Sequence, residues 1–325
     1  MLFVQSDSLD PYYNLAAEEY LMHNLEEEVF MLWRNDRTIV VGRNQNTLAE
    51  INYDYVKEQD ICVVRRMTGG GAVYHDLGNI NFSFIVNSEE DFSNYEHFTA
   101  PVIDFLRSLG VEAGLKGRND LVIGDKKISG NAQYMHKGRV LHHGTLLYDA
   151  KQNHLAQALK VSPDKISSKG IKSIRSRVTN IASHLKNPQD SEAFMKQLGD
   201  YMVKNMPSCR YYDVHEHDAD IIKLRDEKYA TWAWNFGYSP QYEFKSRKRF
   251  SFGSVEIHLQ IGKEAVINGV KIYGDFFSKK PIEELEAILS GTPHEAGAIE
   301  KVLAGVCVSD YMQGMSQAEF MTMLF

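Results

Sequence analysis

A run of three glycines at residues 69–71 lies between two strand-like segments and restricts the fold more than any other feature. The segment 61–66 (ICVVRR) precedes this run, and the segment 72–76 (AVYHD) follows it. Because glycine adopts backbone conformations that other residues avoid, the short connection predicts a tight turn between two strands. Such turns favour antiparallel pairing, since parallel neighbours need a long crossover, which is usually a helix.

Regular patterns predict further strands and helices in the N-terminal part of the chain. Residues 79–86 (NINFSFIV) place Ile80, Phe82 and Phe84 on one face with a period of two, which is typical of a strand. Other predicted strands lie at 29–34, at 38–42 after a turn at Asn35-Asp36, and across 119–148. Predicted helices lie at 14–25, 98–109, 151–159 and 190–205. These elements predict an α/β domain with a large mixed, mainly antiparallel sheet.

The composition changes at residues 244–249 (FKSRKR), where four of the six residues are basic. We expect this segment to be an exposed linker between two domains, 1–244 and 247–325. Beyond it, the pattern predicts strands at 250–261 and 265–274, then helices at 281–289, 296–304 and 315–324. The C-terminal part is therefore predicted to be a small α+β domain.

Bulk properties exclude several classes of protein. The chain has 325 residues, and its formal net charge of −7 disfavours binding to nucleic acid, which normally needs a basic surface. The sequence has no run of 18 apolar residues and no basic leader before an apolar stretch, so we expect neither a membrane span nor a secretory signal. Its three cysteines, Cys62, Cys209 and Cys307, show no paired spacing and predict a reducing, cytoplasmic setting.

The glycine run is also a candidate anion site. Consecutive glycines allow backbone N–H groups to converge on one point, and no side chain blocks close approach. Arg65 and Arg66 directly precede the turn, and guanidinium groups match phosphate and carboxylate oxygens. The alternative is a plain hairpin turn with two solvated arginines. The adjacent arginines favour the anion site.

A second candidate feature is the segment 119–130, which contains Asp120 and the pair Lys126-Lys127. Neighbouring residues of a strand point to opposite faces, so one lysine should face solvent and the other should face inward. An inward lysine requires an anion, which can be a ligand or an internal carboxylate. Asp120 is a candidate magnesium ligand, although an aspartate here can also cap a turn.

Two further segments carry polar patterns. His142 and His143 are adjacent, but neighbours on a strand cannot easily share one ion, and this disfavours a metal site. The stretch 167–173 (SSKGIKS) is basic and contains glycine, so it is either a loop that closes on phosphates or an ordinary surface loop. The sequence lacks the P-loop, dinucleotide-binding and Ser-hydrolase patterns.

Together these motifs resemble the lipoate–protein ligase A family. The resemblance runs through nearly the whole chain, with the motifs in the family's order and spacing. The matching segments are Gly42-Arg43-x-Gln45-Asn46, residues 65–76, Asn119-Asp120 with 126–130, residues 142–147, residues 169–173 and residues 234–240.

This resemblance implies the fold of biotin and lipoate ligases and of the class II tRNA synthetase core, with the catalytic site in residues 1–244 and an accessory domain at 247–325. It implies that ATP, accompanied by Mg²⁺, activates lipoic acid as lipoyl-AMP, and that the lipoyl group then passes to an acceptor lysine. The implied acceptors are the lipoyl domains of 2-oxoacid dehydrogenase complexes and the glycine cleavage H protein. The protein is expected to be a monomer.

The resemblance also assigns roles to residues. Lys127 is expected to contact both the lipoyl carboxyl group and the α-phosphate, and is the implied catalytic residue. The implied nucleotide-binding residues are Arg66, Gly70, Gly71, Ala72, Val73 and Tyr74. The implied lipoate-binding residues are Arg65, His75, His143 and again Lys127. Asp120 remains the candidate Mg²⁺ ligand.

Three other functions are compatible with parts of the sequence. An octanoyl or lipoyl transferase on the same fold would need no ATP, and some such enzymes use a cysteine, but no cysteine lies in the motifs above. A biotin ligase would show a Gly-Arg-Gly-Arg loop, which is missing. A binding module without catalysis would be expected to lose Lys127 or the three glycines, and both are present.

Overall fold

The computed structural model describes residues 1–151, 157–159, 178–238 and 242–325. Its strands are β1 Leu2–Gln5, β2 Val29–Trp33, β3 Thr38–Val41, β4 Cys62–Arg65, β5 Val73–His75, β6 Asn79–Val86, β7 Ala113–Lys116, β8 Asp120–Ile123, β9 Lys126–His136, β10 Arg139–Leu147, β11 Arg210–Tyr211, β12 Tyr242–Phe250, β13 Gly253–Ile261 and β14 Ile267–Gly274. Its α-helices are α1 Pro11–Asn24, α2 Thr47–Glu50, α3 Tyr53–Glu58, α4 Tyr95–Ser108, α5 Ser191–Asn205, α6 Asp218–Leu224, α7 Ile282–Leu289, α8 Ala296–Val302, α9 Val308–Tyr311 and α10 Gln317–Met321.

The chain groups into two units. The first consists of Met1–Arg43 and Gln59–Ala230, and the second of Asn44–Glu58 and Thr231–Phe325. The predicted division of roles between residues 1–244 and 247–325 stays a prediction. The predicted helix at 151–159 and the loop at 167–173 fall wholly or largely outside the described residues.

A large sheet organises the first unit, with strand order β11-β1-β2-β6-β10-β9-β8-β7. Only the pairings of β1 with β2 and with β11 are parallel among these described strands, and the others are antiparallel. The predicted fold class, a mixed α/β domain with a mainly antiparallel sheet, is thereby confirmed.

A second, three-stranded sheet of the first unit carries the glycines, in the order β4-β3-β5. Strands β4 and β5 flank the glycines but do not pair with each other, because β3 lies between them. The two strands therefore do not form the antiparallel pair that a tight turn would favour, and the plain hairpin alternative is wrong. Strands β2 and β3 follow each other closely in sequence but lie in different sheets, so the turn at Asn35-Asp36 passes the chain from one sheet to the other.

Helices α4 and α5 contribute to the main core of the first unit. On α4, Phe98, Val102 and Phe105 are buried at helical spacing, and the Asn94 side chain caps the N-terminus by accepting from His97 N. Helix α1 differs, because two of its ten buried residues are carboxylates, Glu18 and Glu19. Buried carboxylates need partners, and those of Glu18 lead to the candidate site.

The second unit contains an antiparallel sheet, β12-β13-β14, whose inner face packs with residues of α7, α8, α9 and α10. The predicted linker at 244–249 is wrong, because this segment lies within β12 and pairs with β13. Its basic residues Lys245 and Arg247 alternate with Phe244, which packs against the core. The basic composition therefore reflects a strand with one solvated face rather than a linker.

Within the described ranges, every helix is too short or too polar to span a lipid bilayer.

Candidate active site

A cavity of about 260 Å³ in the first unit brings most of the predicted site residues together. We call it the ligand cavity. Its lining residues come from both sheets and α1: Leu15, Trp33, Val40, Arg66, Gly70, Gly71, Ala72, Val73, His75, Asn81, Asn119, Lys127, Gly130, Asn131, Ala132, His143, Gly144 and Thr145. Three predicted site residues, Arg65, Tyr74 and Asp120, are not among them.

The segment 67–72, here called the glycine loop, is held from one side by Arg66. Its guanidinium Nη2 donates to Gly69 O at 2.6 Å and to Gly71 O at 2.9 Å, and Nη1 donates to Val40 O at 3.1 Å. In a trans peptide the next N–H points away from the carbonyl, so the N–H groups of Gly70 and Ala72 point away from Arg66. The loop can thus present these N–H groups to an anion.

Glycine is required at position 70, where φ is +95°. A Cβ there would lie 2.9 Å from Arg66 Nη2, whereas a Cβ on Gly71 or Gly69 would meet no atom within 4 Å. Gly71 lines the cavity and Gly69 does not. A side chain at position 71 would therefore be tolerated by the fold but would occupy space beside the cavity.

Both arginines are buried, so neither is a solvated turn residue. Arg65 is 0% exposed and its Nη1 donates to Gly42 O at 3.0 Å and to Arg43 O at 2.9 Å. Arg66 is 7% exposed, and burial lowers its pKa to about 10, while the Glu18 carboxylate acts in the opposite direction. Arg66 therefore organises the glycine loop and lines the cavity. Arg65 holds the segment after β3, and its predicted contact with lipoate stays a prediction.

A continuous set of hydrogen bonds, here called the Glu18 network, connects α1 to the glycine loop. The Glu18 carboxylate accepts from Ser83 Oγ at 2.6 Å and from His143 Nδ1 at 3.0 Å. The Thr68 hydroxyl lies 2.7 Å from His143 Nε2, and Thr68 Oγ1 accepts from Arg66 Nε at 2.9 Å. His143 Nδ1 lies 3.0 and 3.1 Å from the two Glu18 oxygens, so the network holds both His143 and the start of the glycine loop in place.

Lys127 reaches the cavity through a β-bulge. The register between β8 and β9 shifts from Leu121↔Ser129 to Val122↔Lys127, which leaves Ile128 as the extra residue. In a regular strand, positions 127 and 130 would face opposite ways, yet a Cβ on Gly130 would lie 3.0 Å from Lys127 Nζ. The bulge therefore brings Lys127 to the same face as Gly130, while the neighbouring Lys126 is exposed and does not line the cavity.

Asp120 pairs with Lys127, since its Oδ1 lies 2.7 Å from Lys127 Nζ. The two side chains are 39% and 38% exposed, so the pair is open to water and to ligands. Over the described residues there is no group of three or more His, Cys, Asp or Glu side chains that could hold a metal ion. The observed partner of Asp120 is therefore a lysine.

The adjacent histidines of β10 point to opposite faces of the sheet. His143 lines the cavity, whereas His142 packs against Phe98 with ring centroids 4.7 Å apart. His142 Nε2 donates to Asn131 Oδ1 at 3.2 Å, and burial lowers its pKa to about 3. Tyr74, the predicted nucleotide neighbour on β5, is buried at 9% exposure.

Several residues of the site were missed by reasoning from sequence. Glu18 and Thr68 belong to the network, and Asn81 and Thr145 line the cavity. A usable signal existed for Glu18, because two adjacent carboxylates interrupt an apolar helix. Asn81 had a weaker signal, as an amide in the otherwise apolar pattern of β6.

Comparison with known proteins shows the family of this chain. The model of the lipoyl protein ligase A/B catalytic domain matches residues 10–203, and that of the bacterial lipoate protein ligase C-terminus matches residues 239–324. The chain belongs to the lipoate–protein ligase family. Membership of this family makes it an enzyme of the ligase class, and confirms the resemblance found in the sequence.

Relatives of this family match the chain over its full length. Lipoate-protein ligase LplJ of Bacillus subtilis is 44% identical over 335 residues, which cover 100% of both chains. Lipoate–protein ligase 1 of Staphylococcus aureus is 42% identical over 328 residues, again with 100% of both chains covered.

Three solved structures of lipoate ligases share the fold. A bipartite lipoate protein ligase of Thermoplasma acidophilum, described with its E2 lipoyl domain, has a TM-score of 0.67 at 29% identity and covers 74% of this chain and 98% of its own. P. falciparum LipL1 in complex with lipoate has a TM-score of 0.61 at 27% identity and 94% coverage of both. A lipoate-protein ligase A bound with ATP has a TM-score of 0.63 at 28% identity, with 73% and 98% covered.

Proposed function

We propose that the chain uses ATP to convert lipoic acid into lipoyl-AMP and then transfers the lipoyl group to a lysine of an acceptor protein. The observation that carries this proposal is the placement of Lys127 and the glycine loop on the lining of one cavity. A carboxylate must approach a triphosphate in the first step, and fixed positive groups and N–H dipoles reduce that repulsion. The lipoate-bound and ATP-bound family members support the choice of substrates.

In the first half-reaction, the glycine loop holds phosphate oxygens through the N–H groups of Gly70 and Ala72. The backbone around Gly71 and Val73 lies against the nucleotide, and Tyr74 supports it from the strand behind. Lys127 contacts both the lipoyl carboxylate and the α-phosphate, where negative charge accumulates as the mixed anhydride forms. His143 and His75 are assigned to the walls of the lipoate site.

Magnesium is proposed to arrive with ATP. Mg²⁺ usually retains water and binds one or two carboxylates together with substrate phosphates, so a single carboxylate paired with a cavity lysine fits this mode. Asp120 is the candidate, and it is now paired with Lys127 at 2.7 Å. Binding of the Mg²⁺–nucleotide complex would transfer Asp120 from the lysine to the cation, and Lys127 would become available to the carboxylate and α-phosphate.

In the second half-reaction, the acceptor lysine attacks the carbonyl carbon of lipoyl-AMP and AMP leaves. The attacking amine has to be unprotonated, and its ordinary pKa is about 10.4. The proposed acceptors are lipoyl domains of 2-oxoacid dehydrogenase complexes and the glycine cleavage H protein. The T. acidophilum ligase, described with its E2 lipoyl domain, supports the first of these. We propose further that the protein works as a monomer in the cytoplasm.

A transferase that needs no ATP is the alternative, and the named relatives do not favour it. The cysteines also argue against a thiol-dependent version of this alternative. None of Cys62, Cys209 and Cys307 lines the cavity. Burial raises the pKa of the Cys62 thiol to about 11, which is unfavourable for a nucleophilic thiolate.

Release of pyrophosphate from ATP tests the proposal. The wild-type chain should release pyrophosphate and accumulate lipoyl-AMP only when lipoate is present. Lipoate-independent hydrolysis, or acyl transfer from a lipoyl or octanoyl donor without ATP, would contradict it.

A further inference from the structure

Two buried nitrogen atoms in the lining of the ligand cavity have no hydrogen-bond partner among the described residues. They are His75 Nε2 and Asn81 Nδ2. The two residues are 3% and 2% exposed. Buried polar groups are nearly always paired, so two unpaired ones in the same cavity indicate a ligand with matching atoms.

His75 Nε2 is a donor, because the orientation of its neighbours fixes the proton. The Asn14 amide nitrogen donates to two backbone carbonyls at 2.9 Å and to Asn35 Oδ1 at 3.1 Å, so Asn35 turns its Nδ2 toward His75 Nδ1, at 3.4 Å. His75 Nδ1 therefore accepts, and the proton of the neutral ring lies on Nε2. Burial, with smaller contributions from Arg66 and His143, lowers the pKa of His75 to about 3, so the ring is neutral at physiological pH.

Asn81 Nδ2 is also a donor. Its Oδ1 accepts from Asn79 Nδ2 at 3.0 Å, so Nδ2 is the amide atom left without a partner. The cavity lining therefore contains two neutral N–H donors, and neither carries a charge that would favour an anion over a neutral acceptor.

Both donors lie beside the Trp33 side chain. The Trp33 ring is 6.3 Å from the His75 ring, and Trp33 is the cross-strand partner of Asn81. Leu15 and Val40 are further apolar residues of the cavity lining. Lys127 is on β9 and Asn81 is on β6, and β10 lies between these two strands. The backbones of β9 and β6 are therefore about 9–10 Å apart across the sheet.

An extended eight-carbon acid whose carboxylate contacts Lys127 would place its far end beside His75 and Asn81. Octanoate would bring only hydrocarbon there and would seal both donors away from water without partners. Lipoate carries ring sulfurs at that end, which are weak acceptors. A site with unsatisfied buried donors discriminates against the ligand that lacks the acceptor.

We propose that His75 and Asn81 form a two-donor subsite for the acyl tail, which selects acids with hydrogen-bond acceptors at the far end over plain octanoate. This inference rests on the proposed function, since it assumes that an acyl acid occupies the cavity with its carboxylate at Lys127.

The first test uses the wild-type chain and three acids in the ATP-dependent reaction: lipoate, octanoate and 6-oxooctanoate. The last acid carries a carbonyl oxygen on the carbon that bears a ring sulfur in lipoate. Both acceptor-bearing acids should have a kcat/KM roughly ten-fold above that of octanoate. Equal values for octanoate and 6-oxooctanoate would overturn the proposal. No ATP-dependent turnover of any acid would instead overturn the proposed function.

The second test removes one donor. Asn81→Leu should lower the preference for 6-oxooctanoate over octanoate by roughly ten-fold, because the donor is replaced by an apolar group of similar size. Asn81→Ala provides the same comparison if the leucine variant does not fold. Thr145→Val is the matched control, since Thr145 lines the same cavity on the neighbouring strand and should leave the preference unchanged.

Two outcomes of the second test would overturn the proposal. If Asn81→Leu and Asn81→Ala reduce the use of all three acids by one common factor, the donor serves the shared carboxyl group rather than the tail. If Thr145→Val shifts the preference as much as Asn81→Leu does, general polarity of the cavity sets the selectivity and the two donors do not.

Discussion

Glu18 is fully buried on α1, and its carboxylate accepts hydrogen bonds from Ser83 and His143. Through His143 and Thr68 it is connected to Arg66, which holds two carbonyls of the glycine loop. A change at Glu18 should therefore reach the nucleotide site without any direct contact between Glu18 and the phosphates. Glu18 is a positioning residue in this interpretation.

We predict that Glu18→Gln lowers the rate of lipoyl-AMP formation by roughly ten-fold, because the amide nitrogen that replaces Oε2 would be a second donor facing His143 Nδ1, which now lies 3.1 Å from Oε2. It should also destabilise the fold by about 1–3 kcal/mol through the donor left unpaired. The rate is measured by pyrophosphate release, and stability by urea unfolding.

Glu19→Gln is the matched control for this prediction. Glu19 is the next residue of α1, is similarly buried, and accepts from Tyr229 Oη and Lys228 Nζ, outside the Glu18 network. The control should lose stability but keep its rate of adenylation. Equal loss of rate in both variants would contradict the positioning role of Glu18.

A pH dependence of stability follows from His75 and His142. Burial lowers the pKa of each to about 3, while an unfolded histidine has a pKa of about 6.5. Between these values the unfolded chain binds protons that the folded chain does not, so stability falls as pH is lowered through this range. Each histidine should contribute a slope of up to about 1.4 kcal/mol per pH unit.

Urea unfolding between pH 7 and pH 4 measures this slope. His142→Phe keeps the aromatic contact with Phe98 and should make the slope shallower than in the wild type. The comparison concerns the slope, because the variant also loses two hydrogen bonds and will be less stable at every pH. An unchanged slope would show that His142 is charged in the folded protein.

Among the structural elements, the glycine loop contains two glycines that are needed for different reasons. Gly70 needs its positive φ, whereas Gly71 needs only the absence of a side chain beside the cavity. We predict that Gly71→Val raises the KM for ATP by at least roughly ten-fold and leaves the melting temperature within a few degrees of the wild type. Gly69→Val, at a position that does not line the cavity, should keep the KM for ATP. Normal adenylation by a folded Gly71→Val protein would refute the role of the loop.

The bulge in β9 gives a second prediction at this scale. Because it turns Lys127 to the cavity and leaves Lys126 in solvent, Lys127→Ala should lose about 10²–10³ in the rate of lipoyl-AMP formation. Lys126→Ala should remain near the wild-type rate. Lys127→Arg should also form lipoyl-AMP slowly, since arginine keeps the positive charge but presents it on a planar guanidinium group.

Synthetic lipoyl-AMP supplies a control for these variants, because it bypasses the first half-reaction. Transfer from it should be less affected in Lys127→Ala than adenylation is. Loss of adenylation in Lys126→Ala, with survival of Lys127→Ala, would mean that the register of β9 is wrong by one residue.

Periodic patterns predicted most elements of the fold but not how their strands pair. The period of two in β6 and the apolar spacing of α4 were sufficient to locate both elements. The separation of β2 and β3 into different sheets was not predictable, because the local turn signal says nothing about which partner each strand finds. The prediction of a linker at the basic segment of β12 was wrong for a related reason. A strand with one solvated face can carry as many charges as a linker.

For the whole molecule, the motifs of the cavity were easier to predict than the network that supports them. Lys127 and the glycines stand in compact motifs that can be recognised one by one. Glu18, Thr68, Ser83 and His143 are distant in sequence and meet only because α1, β6 and β10 pack together. Hydrogen bonds between residues so distant in sequence depend on tertiary packing, so no local sequence pattern predicts them.

The most direct test of the proposed activity is the intact mass of an unmodified lipoyl domain after incubation with the chain. With lipoate, ATP and Mg²⁺ together, the domain should gain the mass of one lipoyl group on a single lysine. Omission of ATP, or use of Lys127→Ala, should abolish the gain. A gain without ATP from a lipoyl or octanoyl donor, or no gain with all components present, would contradict an ATP-dependent lipoate–protein ligase.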